Sequence, residues 1–142
     1  MHKRSTDELL KQLEQGKDLA PYLEENKGEF EKIPLCYALA ELLDRYGLRK
    51  APVISASGLD KAYAYQIFDG KKTAPSRDKL LAICLAMRIT LPETQRILRL
   101  GHVGQLHPRN IRDSVIIHSI LHHVSVQDTN DLLYDLGKEI LD

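Results

Sequence analysis

Cysteine is scarce in this chain of 142 residues: the two present, Cys36 and Cys84, stand far apart, each inside an apolar stretch. That placement excludes a Cys-x-x-Cys metal site and a disulfide framework, and predicts two small buried hydrophobes in a reducing compartment. Long hydrophobic runs are missing as well. No window approaches the roughly 18 apolar residues of a membrane span, and the opening Met-His-Lys-Arg-Ser-Thr-Asp-Glu has no apolar signal core. A cytoplasmic protein without a membrane partner is expected. Gly-rich phosphate loops, nucleophile elbows, His-Glu-x-x-His elements and nucleophile–base constellations are all absent. The expectation is therefore a non-enzymatic protein with no catalytic residue and no cofactor.

Net charge is also lacking, since 20 basic residues balance 20 acidic ones. The balance is uneven along the chain. Residues 1–44 carry 6 basic and 10 acidic side chains, residues 45–88 carry 9 and 3, and residues 89–142 carry 5 and 7. Basic side chains are in excess only in the central block, which points to a local anion-binding face.

What is present is helical periodicity. Apolar residues recur at three- and four-residue spacing almost throughout, with hardly a strand signal. Thr6 or Ser5 caps a helix from Asp7 to Gln15, and a second acidic helix runs from Asp18 to about Asn26, with Gly28 as the break after it. Residues 1–30 read as an acidic helical arm. Residues 31–101 hold five helices joined by short loops. The first is opened by Pro34 and closed by Gly47, the second runs from Ala51 to Ser57, and the third from Lys61 to Phe68. The fourth is capped by Ser76, and the fifth starts at Pro92 and ends at Gly101. Residues 102–142 read as a helical hairpin, opened by Pro108 and, after Ser125, carrying the stripe Leu132, Leu133, Leu136 and Ile140. Its apolar faces either fold onto the bundle or bury against a second copy.

The stretch from Lys50 to Arg77 carries the functional signal. Two short helices with Gly58 in the turn between them form a helix-turn-helix pattern, whose second helix suits a DNA major groove. In that helix Ala64 and Ile67 point inward, leaving Lys61, Ala62, Tyr65 and Gln66 toward solvent. Gln66 can pair bidentately with adenine, Lys61 can reach guanine or phosphate, and Ala62 permits close approach to a thymine methyl. Lys71, Lys72 and Arg77 follow where backbone phosphates would pass, and Tyr63 or Tyr65 can touch the sugar-phosphate backbone.

The run Ser57-Gly58-Leu59-Asp60-Lys61-Ala62-Tyr63-Ala64-Tyr65-Gln66-Ile67-Phe68-Asp69-Gly70-Lys71, followed by Pro75-Ser76-x-x-x-Leu80-Leu81-x-Ile83-Cys84, resembles the Xre-type (phage-repressor-like) helix-turn-helix family over residues 35–100. The resemblance implies an all-α, five-helix DNA-binding bundle, here with the N-terminal arm and the C-terminal hairpin added. It places Lys61, Ala62 and Gln66 at base-reading positions, and Lys50 and the loop Lys71 to Thr73 at phosphate-contacting ones. It also implies a homodimeric bacterial or phage transcription regulator on palindromic double-stranded DNA. Ile54, Pro52 and Phe68 depart from the small, acidic and polar residues common at their positions in that family.

Two features stand outside this pattern. His118 and His122 lie four apart with His123 adjacent, a metal-pair spacing without a convincing third ligand, so no metal is expected. The acidic arm and the hairpin are surfaces for a protein partner, and the arm could also cover the central basic block. The competing expectation is a helical adaptor that keeps this fold and binds protein instead of DNA.

Overall fold

The computed structural model describes residues 5–16, 18–26 and 33–142, and the described residues are helical without any strand. Gly28 and the first four residues lie outside them. The chain divides into two compact units, Met1–Lys32 and Ile33–Asp142.

The first unit holds α1 (Thr6–Glu14) and α2 (Leu19–Glu25). The Ser5 side chain caps α1 by accepting from the Glu8 N–H, so Ser5 rather than Thr6 is the capping residue. No α1 residue is buried. Tyr22 and Asn26 are, and the Asn26 amide donates to the Gln12 side chain (2.8 Å) and to the Tyr22 carbonyl.

The second unit comprises α3 (Leu35–Arg45), α4 (Lys50–Ser57), α5 (Lys61–Phe68), α6 (Arg77–Met87), α7 (Leu91–Leu100), α8 (Ile111–Leu121) and α9 (Val126–Asp135). Helix α6 is its axis. Leu80, Leu81, Ala82, Ile83, Cys84, Leu85 and Met87 are all buried, and a helix apolar on every side must be surrounded. It packs on α4, α7 and α9. Burial pushes the Cys84 thiol up to about 12, against the opposing effect of a Thr94 hydrogen bond. Cys36 is only half-buried, because it sits on the outer turn of α3, beside Gly70.

The hairpin belongs to this same core. Ile116, Ile120, Val126, Leu133 and Leu141 join one hydrophobic cluster with the side chains of α3–α7. Two crossed ion pairs fasten it. Arg77 at the start of α6 meets Asp113 with both terminal nitrogens (3.1 and 2.9 Å), while its neighbour Asp78 takes both terminal nitrogens of Arg112 (3.0 and 2.9 Å). At the opposite end of the bundle, Glu93 accepts from Tyr46 and Arg45 at the end of α3 and completes a reciprocal capping box with Thr90 on α7. Burial pushes the Glu93 carboxyl up, but the bonds from Tyr46 and Thr90 and the Arg45 charge outweigh it and hold it low; the same bond raises the Tyr46 phenol.

Several helix ends differ from the sequence expectation. Asn110, not Pro108, caps α8 through the Asp113 N–H (2.9 Å). Helix α9 stops at Asp135 because Gly137 turns left-handed at φ +69 and the Lys138 N–H returns to the Leu133 carbonyl. Ile140 is therefore exposed, and the neighbouring Leu141 is buried instead, its backbone held on both sides by the Asn130 amide.

Gly101 has a different reason from the one expected. The left-handed residue ending α7 is His102 at φ +58, while Gly101 has an ordinary φ of −81. A Cβ at Gly101 would lie 2.5 Å from Leu80 Cδ1, and Leu80 is fully buried, so its methyl must shift against packed neighbours. Gly101→Ala is expected to lower unfolding free energy by about 1–3 kcal/mol in urea denaturation, as overpacking does. An unchanged midpoint would mean that α6 and α7 part without cost.

Candidate nucleic-acid interface

The candidate interface is built on α5 and the segments at its two ends. Before it, the Ser57 hydroxyl donates to the Ile54 carbonyl (2.6 Å) and accepts from the Leu59 N–H (3.2 Å). Gly58 adopts φ +70, which glycine reaches at little cost. Asp60 then caps α5 by accepting from the Tyr63 N–H (3.0 Å). The turn is thus closed by its own short polar side chains, and it fixes where α5 begins.

Ala64, Ile67 and Phe68 anchor α5 in the core. Ala62 is exposed and Gln66, one turn later, half-exposed. The i, i+4 spacing sets them on one outward face. Lys61 is exposed at the first position of the helix, while Tyr63 and Tyr65 are half-buried against the core. Tyr65 and Gln66 are thus both less open to solvent than their places in the sequence suggested.

After α5, Gly70 turns left-handed at φ +82, and the Lys71 and Lys72 N–H groups both return to the Gln66 carbonyl (3.0 and 3.1 Å). The loop wraps over the helix end and leaves Lys71, Lys72 and Thr73 exposed. A Cβ on Gly70 would approach Cys36 Sγ to 3.1 Å, so conformation and space both favour glycine there. Ser76 caps α6 by accepting from the Lys79 N–H (3.3 Å). The ammonium groups of Lys72 and Lys79 lie 5.6 and 5.2 Å from the Tyr63 ring centroid, within cation–π range. Lys79 was missed from sequence. It joins the surface through an aromatic ring on another helix, which no local spacing reveals.

Comparison with protein-family models, curated proteins and solved structures gives no match.

Two residues assigned to phosphate contact are otherwise engaged. Besides its two bonds to Asp113, the Arg77 guanidinium donates to the Gly104 and Gln105 carbonyls (2.9 and 3.1 Å). That uses four of its five N–H groups, so Arg77 is an internal clamp and not a phosphate ligand. Lys50 faces Asp69 at 3.3 Å, joining the start of α4 to the end of α5. Both side chains are exposed, a setting in which such a pair contributes little, so Lys50 can leave Asp69 for a phosphate at small cost. By contrast Lys61, Lys71, Lys72 and Lys79 have no carboxylate partner among the described residues.

On α8 the His118 and His122 rings lie with centroids 4.4 Å apart. Among the described residues no group of three or more metal-ligating side chains forms.

Proposed function

We propose that the chain is a sequence-specific double-stranded DNA-binding protein, a transcription regulator that inserts α5 into the major groove. The observation carrying this reading is the set of unpaired lysines, Lys61, Lys71, Lys72 and Lys79, around the outward face of Ala62 and Gln66. Unpaired cations beside an exposed short helix suit phosphates flanking a groove. A small side chain and an amide on that helix suit base edges. The likeness of residues 35–100 to Xre-type domains, with their five-helix arrangement, supports the same reading. In this reading Lys61, Ala62 and Gln66 read bases, while Lys71, Lys72, Thr73 and Lys79 hold the backbone, with Tyr63 positioning the last two lysines. The exposed apolar residues Leu121, Leu132 and Leu136 favour the adaptor reading as runner-up.

The test is binding to a pool of random duplexes across a salt series, followed by selection of retained sequences. Three lysine–phosphate contacts give a slope of log affinity on log salt of roughly −2.7, and Lys71→Ala lowers its magnitude by about 1 while weakening all sequences alike. An enriched motif is expected. Absence of binding at low salt by a folded chain would overturn the DNA reading and leave the adaptor.

A further inference from the structure

The hairpin has two apolar faces, and only one is covered. Ile116, Ile120 and Leu133 are at most 4% exposed, whereas Ile111, Leu132 and Leu136 remain 63, 40 and 56% exposed. Ile111, Val115 and His118 are spaced four and three apart, which lays them along one stripe of α8, and Leu132 and Leu136 are four apart at the end of α9. Between them lies a cleft of about 440 Å³ walled by Pro108, Ile111, Val115, Leu132 and Leu136. Ile111, Leu132 and Leu136 take no part in the hydrophobic core, so folding does not require them to be apolar. A mostly apolar cleft with a few polar groups, within roughly 300 to 1,000 Å³, is the usual form of a small-molecule site.

The polar groups of the lining identify the occupant. They are Arg109, Ser114 and His118, and among the described residues no carboxylate lines the cleft. The Ser114 hydroxyl is engaged by the Pro108 and Asn110 carbonyls (2.8 and 2.9 Å), and the His118 ring lies beside His122. Arg109 is different: it is exposed, and its guanidinium bonds to no described residue. On its far side it borders a polar cleft in which Asp113 and Asp78 match Arg77 and Arg112, so that Arg109 and Lys138 outnumber Glu139. An unpaired guanidinium beside an apolar trough suits an anionic head on an apolar body. Its fork of parallel N–H donors satisfies both oxygens of a carboxylate, whereas a phosphate would keep a further oxygen without a partner. From Ile111 to His118 the trough runs about 10 Å, too little for the roughly 800 Å² that each side of a stable protein interface needs.

We propose that the α8–α9 cleft binds a small amphipathic carboxylate. Its hydrocarbon body lies against Ile111, Val115, Leu132 and Leu136, and its carboxylate meets the Arg109 guanidinium. The ligand covers the apolar surface that folding leaves open and gives Arg109 the counter-charge it lacks. This inference does not rest on the DNA reading.

Amide NMR spectra of the full chain without DNA, titrated with octanoate, octanol or octylamine, test it. Saturable shifts confined to the residues around the cleft are expected, with a dissociation constant for octanoate on the order of 300 μM. Octanol should bind several-fold more weakly, and octylamine more weakly still. Arg109→Gln should weaken octanoate about fivefold, as loss of one exposed ion pair does, and leave octanol unchanged. Leu136→Glu, which sets a charge in the trough, should weaken both about tenfold. Circular dichroism checks that each variant is folded. If Leu136→Glu unfolds the chain, the exposed Arg109→Gln decides alone through the contrast between octanoate and octanol. Shifts that do not saturate below about 5 mM octanoate overturn the proposal. So do saturable shifts elsewhere in the chain, octanol binding as tightly as octanoate, or an Arg109→Gln chain that holds octanoate as well as the wild type. Cleft shifts that follow protein concentration with no ligand present would give the face to a second copy and overturn it too.

Discussion

Asp113→Ala is expected to lower the unfolding free energy by about 2–3 kcal/mol at pH 7. The carboxylate accepts both terminal nitrogens of Arg77 and the His107 N–H (2.9 Å), so its removal strands a guanidinium and an amide together. Loss of one partner from a fully buried pair costs 3–5 kcal/mol; here Asp113 is 9% exposed but Arg77 keeps 26%, and solvent reduces the figure. The pH dependence has a definite sign. Burial pushes the Asp113 carboxyl up, but the Arg77 and His107 hydrogen bonds and the charges of Arg77 and Arg112 outweigh it and hold it below 3.8. A carboxyl lowered by folding stabilises the native state above its unfolded pKa, and that share disappears as pH falls through the folded value. Urea denaturation at pH 7 and at about pH 2 should therefore show a wild-type advantage at the first pH that shrinks at the second. A difference below about 0.5 kcal/mol at pH 7 would place Asp113 among ordinary surface positions.

Gln66→Ala is expected to weaken binding to the selected DNA site by about 10- to 100-fold while leaving non-specific duplex binding nearly unchanged. A bidentate amide contact to adenine is worth roughly 1–3 kcal/mol of discrimination, and neutral glutamine adds nothing to the phosphate term. The substitution isolates that contact well. Gln66 engages the Lys71 and Lys72 amides through its backbone carbonyl, which alanine retains, and alanine is the better helix former. Competition binding with the selected site and a scrambled duplex measures both quantities. An equal loss on the two duplexes would remove Gln66 from base reading.

Much of the fold was legible because its signals are local. Gly58, Asp60, Ser76 and Ser125 each hold the turn or cap position that their chemistry suits, and α5 could be placed from its anchors Ala64 and Ile67. The errors have a common physical origin. Asn110 and Pro108 both suit a helix start, and only the fold shows which one meets the Asp113 N–H. Arg77 and Asp113 are 36 positions apart; a pair so distant leaves no periodic trace, and a lone arginine beside two lysines reads as one more cation. Gly101 was understood as a helix stop because glycine often is one. The actual constraint, a Leu80 methyl from another helix, exists only after packing. Arg88, His102 and His123 all take positive φ, a conformation that composition alone would assign to glycine.

The buried thiol at the centre of α6 has a practical consequence. Cys84 is 1% exposed, and burial pushes its thiol well above the ordinary range, so the thiolate is a trace species at pH 7. Alkylating reagents attack thiolates, so this sulfur is silent while α6 stays in place and reacts once the helix leaves its neighbours. With Cys36 replaced by serine, the rate of Cys84 alkylation becomes a clock for excursions of the innermost helix in native buffer. Agreement between the opening free energy from that clock and the value from urea would mean that α6 comes loose only when the whole unit does.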